Sequence, residues 1–206
     1  MKRKWWGRLR RRLKRRSKAL LFLLCGLGNK GSEYAHTRHN LGYLAIDRFS
    51  EKYHISVNKK LCGCIVGMNN DVILAKPDTY MNLSGGPVSR LIREKGISLG
   101  DMLLIQDDLD MEFGKLKIKW NGRDAGHKGV RSVADALQSP LFFRMKIGIG
   151  RDPTMLPEEY VLSRFRKSEL DDLTDALDRA AEAAHTFIFE GKEKAMSIYN
   201  KWHSDL

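Results

Sequence analysis

Five side chains stand out for the chemistry they could do together: His39, His127, Asp107, Asn29 and Asn82. An imidazole held by a carboxylate can take a proton from water, while the acid fixes the ring's tautomer and steadies its protonated form. Neutral amides can hold a carbonyl or donate to an oxygen that gains negative charge, commonly worth about 2.7–4 kcal/mol per donor. No serine or cysteine nucleophile accompanies them: there is no G-x-S-x-G string, and Cys25, Cys62 and Cys64 lack a catalytic setting. The set suits attack by an activated water. By itself it names no substrate.

These residues lie on polar segments that hydropathy places at the ends of regular elements. Segments 26–40, 79–85 and 106–110 each follow an apolar run, and 122–129 precedes a helical pattern. In open α/β sheets, sites gather at the carboxyl ends of strands, so these segments are expected to converge. Residues 19–26 read as a buried strand, and Leu41, Leu44, Ala45, Phe49 and Tyr53 recur at helical spacing. Apolar stretches at 64–68 and 72–75 flank Asn69-Asn70-Asp71, a hairpin signature. Residues 82–96 predict a helix, with Pro87 near its start and Gly96 at its end. A strand at 102–106 is expected to run into an acidic turn at 107–110, followed by a strand at 115–120 with one wet face. A helix at 130–137 and a strand at 144–150 come next. The last third carries a helical stripe of Leu170, Leu173, Ala176, Leu177, Ala180, Ala181, Ala184 and Phe187. Alternating strands and helices predict a single three-layer α/β domain.

The chain has 206 residues, 42% hydrophobic and 30% charged, which excludes a wholly disordered protein and a small disulfide scaffold. No apolar run reaches the roughly 20 residues of a membrane span. With three cysteines and no paired framework, a reducing cytoplasm is the expected compartment. The formal charge of +12 is almost all local. Residues 1–18 hold eleven Lys/Arg and no acid, leaving 26 basic against 25 acidic residues in the remainder. Residues 1–19 therefore read as a disordered basic extension and 20–206 as the folded domain. The extension has the outline of a secretory leader but lacks a small-residue cleavage site. A solvated tail, an RNA contact using Trp5 and Trp6, and a membrane-surface role stay open for it.

Four strings, GLGNKGSEYAHTRHNLGY, KPDTYMNLSGGPV, QDDLD and AGHKG, in this order and spacing, resemble the bacterial-type peptidyl-tRNA hydrolases. The likeness runs from about Leu21 to the C-terminus. It implies a mixed, twisted central sheet flanked by helices and hydrolysis of the ester joining a peptide to the terminal ribose of tRNA. It also implies no metal or other cofactor. By position, the resemblance makes His39 the base that activates water, Asp107 its carboxylate partner and Asn29 a residue that separates peptidyl from free aminoacyl ends. Tyr34, Tyr80 and Asn82 match substrate-binding positions, Met81 lines the peptide cleft, and His127 belongs to a loop contacting the substrate's RNA end and main chain. One residue departs from the pattern. Lys128 stands where many relatives have asparagine, and a lysine adds charge and accepts no hydrogen bond.

Blander readings stand beside these. Asp107, Asp108 and Asp110 could form a solvated acidic turn, Asn82 could cap the next helix, and Tyr34 and Tyr80 could be packing aromatics. His36 and His39 have the spacing of a metal pair, but no neighbouring carboxylate or cysteine completes a ligand set. Candidate RNA-backbone contacts are Lys115, Lys117, Arg123, Lys128 and Arg131. Expected is a monomeric enzyme on peptidyl-tRNA with no membrane partner. The alternative is a non-catalytic RNA-binding relative, such as an organellar intron-splicing factor.

Overall fold

The computed structural model describes residues 21–201, so the basic extension and its boundary near residue 19 lie outside it. Seven strands form one sheet: β1 (Phe22–Gly26), β2 (Lys59–Leu61), β3 (Cys64–Met68), β4 (Val72–Pro77), β5 (Met102–Asp108), β6 (Leu116–Trp120) and β7 (Phe143–Gly148). Their spatial order is β2-β3-β4-β1-β5-β7-β6. The central four run parallel, and the remaining pairings are antiparallel. The helices are α1 (Leu41–Lys52), α2 (Gly85–Lys95), α3 (Lys128–Leu137), α4 (Pro157–Leu162), α5 (Leu170–Phe189) and α6 (Lys192–Tyr199). The expected α/β fold with a mixed sheet is observed.

Strand periodicity divides the core in two. In β1, Phe22 and Leu24 face the cluster completed by α1 and α5, while Leu23 and Cys25 face the cluster under α2 and α3. Because both faces are covered, β1 reads as an unbroken apolar run rather than an alternating one. On β6 and β7 the second face is not apolar. Leu116, Ile118, Met145 and Ile147 point to the first cluster, whereas Lys117, Lys119, Arg144 and Lys146 occupy the opposite pleat positions.

The chain leaves β1 toward β4, then returns across β1 through α2 to add β5 on its other side. That reversal opens a crevice at the carboxyl ends of β1 and β5, the place where such sheets bind ligands. Gly26 and Gly42 let α1 start directly against this end, since a Cβ on either would overlap backbone of the crossing segment.

Several boundaries differ from expectation, each for a physical reason. Asp107 and Asp108 are not a solvated turn. They are the last two residues of β5, paired with Ile147 and Gly148 and buried. Asn82 caps no helix, because it lies in a 3₁₀ turn, Met81–Leu83, and α2 begins at Gly85. Gly96 does end α2, in the left-handed conformation. The short strand β2 was not expected, being polar and exposed at the sheet edge. Leu170 of the C-terminal stripe is exposed, while Leu173, Ala176, Ala180, Ala181, Ala184 and Phe187 are buried.

Candidate active site

Asp107 ends β5 with its carboxylate at the crevice, and two imidazoles close on it. Nδ1 of His39 lies 3.0 Å from Oδ2 and 3.1 Å from Oδ1, and Nε2 of His127 lies 3.0 Å from Oδ1. The rings are 5.0 Å apart between centroids. The hydrogen-bond network assigns both tautomers. The Val130 N–H donates to Nδ1 of His127, so the proton of that ring sits on Nε2 and is given to Asp107. His39 donates from Nδ1, which leaves its Nε2 lone pair available as a base. Burial pushes the Asp107 carboxyl up, but the charges and hydrogen bonds of His39 and His127 outweigh it and hold the group well below the usual carboxylate range. Asp107 is thus an anion whose side chain is only 3% exposed, and His39 is its more open partner.

Asn29 follows β1 and is fixed on three sides. Its N–H donates to Oδ1 of Asn40, its C=O accepts from Nδ2 of Asn40, and its own Oδ1 accepts from the Met81 N–H at 2.7 Å. With the oxygen spent, the Nδ2 group is what remains as a donor at the cleft. Asn40, one residue past His39, holds Asn29 in place and was not among the expected site residues. Its only signal was its place at the end of TRHN.

The turn that carries His39 is held from behind. Arg38 is buried, donates to both oxygens of Glu169 at 3.0 and 2.7 Å, and lies 4.4 Å from the Tyr160 ring and 4.9 Å from that of Phe165. Its Nε and backbone N–H both reach Ser163. These contacts tie the His39 turn to the segment around α4.

A cleft of about 560 Å³ spreads from this cluster. It is lined by Asn29, His39, Met81, Asn82, Asp107, His127 and Lys128, with Leu109, Pro157, Val161 and Leu162 supplying apolar wall. Gly129 lets Met81 approach, because a Cβ there would overlap the methionine sulfur. Asn82 is exposed at the cleft, whereas Tyr34 and Tyr80 are not brought to its lining. They pair edge to face at 6.5 Å, with Lys30 over the Tyr80 ring.

Metal-ligating atoms of His39, Asp107 and His127 lie within 4.8 Å of one another, a group of three among the described residues. The partner of His39 there is His127 and not His36, which is exposed, and the completing carboxylate is remote in sequence. Both rings hydrogen-bond Asp107, so a divalent ion bound among the three would compete with those bonds.

This geometry fits what comparison with known proteins finds. The sequence model described as peptidyl-tRNA hydrolase matches residues 23–205. The chain belongs to the peptidyl-tRNA hydrolase family. Curated peptidyl-tRNA hydrolases from Thermodesulfovibrio yellowstonii and Koribacter versatilis are 41% and 43% identical to it, over 88% and 87% of this chain and 100% and 92% of theirs. The crystal structure of the peptidyl-tRNA hydrolase from Acinetobacter baumannii superposes with a TM-score of 0.82 at 32% identity. That match covers 89% of this chain and 96% of the other.

Among the expected phosphate contacts of this family member, Lys115 is engaged with Glu112 and Arg131 with Asp124, while Lys117, Arg123 and Lys128 are exposed. Beside them lies a denser basic group, of which the sequence reading named only Lys117. Lys117 lies opposite Lys146 and Lys119 opposite Arg144 across the β6–β7 ladder. Arg144 is buried with no acid partner among the described residues and donates to the carbonyls of Asn121 and Arg123. Burial, with Arg144, Lys146 and Lys117 nearby, holds the Lys119 ammonium below the ordinary lysine range. Among the described residues, Lys146 alone of this group has a carboxylate ion-pair partner, Asp108. Among the described residues no helix is long and apolar enough to cross a membrane.

Proposed function

We propose that this chain hydrolyses the ester of peptidyl-tRNA by direct attack of water, with His39 as the base. Nε2 of His39 removes a proton from water as its oxygen adds to the ester carbonyl, and Asp107 stabilises the imidazolium that forms. The carbonyl oxygen becomes an oxyanion and draws on the Nδ2 group of Asn29 and the amide of Asn82. Collapse breaks the bond to the ribose oxygen, which takes the proton back from His39. Peptide carboxylic acid and tRNA with a free hydroxyl leave. No group outside the chain and the water is required by this balance.

The observation that carries this reading is the contact of His39 Nδ1 with a carboxylate kept ionised inside the cleft, beside an asparagine whose oxygen is already bound. RNA would be held by its backbone. Like charges directly opposite across a ladder destabilise a sheet, so the Lys117–Lys146 and Lys119–Arg144 pairs make sense against phosphates. Backbone recognition suits one enzyme to every tRNA body. Such an enzyme needs no partner subunit and works as a monomer in the cytoplasm, where its substrate forms. Tyr34 and Tyr80, outside the cleft lining, would touch the RNA end rather than the peptide.

Hydrolysis of N-acetylaminoacyl-tRNA against free aminoacyl-tRNA tests the reading. Blocked ester should be cleaved about 10²-fold faster, because the polar groups of the cleft are matched by an acylated amide and not by an ammonium. Absence of cleavage would favour a non-catalytic RNA binder, and equal cleavage a less selective esterase.

A further inference from the structure

The charged groups lining the main cleft are nearly all matched. Asp107 has its two imidazoles, Asp108 has Lys146, Asp110 holds Arg151, and Asp124 holds Arg131. Two lining charges have no hydrogen bond or ion pair among the described residues, Lys128 and Glu158. Lys128 follows His127 directly and lines the same cleft. Glu158 belongs to α4, with the apolar wall of Pro157, Val161 and Leu162.

Nothing local accounts for a cation at position 128. It is the first residue of α3, where the helix dipole disfavours positive charge. The dense basic group offered to phosphates above lies on β6 and β7, whereas Lys128 shares its cleft with Met81 and Leu109. An asparagine at this position could donate to a peptide carbonyl and accept from a peptide N–H. A lysine only donates, and the partner that matches its charge is a carboxylate.

We infer that Lys128 is a specificity residue that selects peptidyl groups carrying an acidic side chain beside the ester. This rests on the esterase reading above. The unpaired ammonium attracts a carboxylate at the residue esterified to the ribose, and Glu158 repels one placed against the α4 wall. The preference is therefore confined to the side chain nearest the reacting carbonyl.

A matched series on one tRNA body tests it: N-acetyl-glutamyl, N-acetyl-glutaminyl and N-acetyl-lysyl esters. The expected order of kcat/KM is glutamyl, glutaminyl, lysyl, with about a five- to tenfold step from the first to the second at low salt. Lys128→Asn should bring the three values together, and Lys128→Glu should invert the order. A wild-type series without preference, or one unchanged by either substitution, would overturn the inference. So would a uniform fall across all three substrates with a flatter salt dependence, which would assign the ammonium to a phosphate. Failure of the wild-type protein to cleave the glutaminyl ester at all would overturn the esterase reading together with this inference.

Discussion

Replacing His39 by alanine is expected to lower kcat/KM for blocked aminoacyl-tRNA by at least about 10³-fold, within the range general-base catalysis supplies. The substitution removes the one nitrogen that is free to take a proton from water while its ring is held by Asp107. Affinity for tRNA and the melting temperature should change little. The ring lines the cleft with 13% of its side chain exposed, and the turn around it is anchored by Arg38 and Asn40. Kinetics on N-acetylaminoacyl-tRNA, with tRNA binding measured in parallel, check both halves. A variant that keeps more than a tenth of the activity would remove His39 from the reaction.

Asp107→Asn should cost about 10²-fold or more in kcat with KM nearly unchanged. The amide oxygen can still accept from His39, but a neutral group does not stabilise an imidazolium. The amide nitrogen would also face the Nε2–H of His127, donor against donor, unless that ring gives up its bond from Val130. The same substitution alters acid stability. Asp107 is held below its ordinary range in the fold, so its contribution is fully present above the unfolded-state value near 3.9 and is lost as pH falls through the lower folded value. The stability gap between wild type and Asp107→Asn should therefore narrow below about pH 4. Urea denaturation at pH 7 and pH 3 measures it, and a gap independent of pH would contradict the assignment.

Where neighbours in sequence are neighbours in space, the amino-acid order was readable. The 69–71 hairpin turn, the glycine that ends α2 and the helical repeat of α1 are local and were expected where they occur. His39, Asn29 and Asn82 were legible because they lie inside long motifs. The groups that were not legible depend on distant partners. Two adjacent aspartates read as a turn until their partners are known, and those partners are His39, His127 and Lys146. Arg38 looks like a surface cation in TRHN, yet its carboxylate partner is 131 residues away. Arg144 resembles an ordinary strand residue, and only the fold reveals it buried against the carbonyls that lead to the His127 loop.

The role given to water is tested most directly by a single turnover in ¹⁸O-enriched solvent, with protein in excess over N-acetylaminoacyl-tRNA and acid quenching at early times. Solvent oxygen should enter the released carboxyl group in the first turnover. The ribose hydroxyl should stay unlabelled, and no acyl group should be found on the protein at any time. An acylated side chain that forms and decays during the turnover, or label in the ribose hydroxyl, would contradict direct attack by a water that His39 activates.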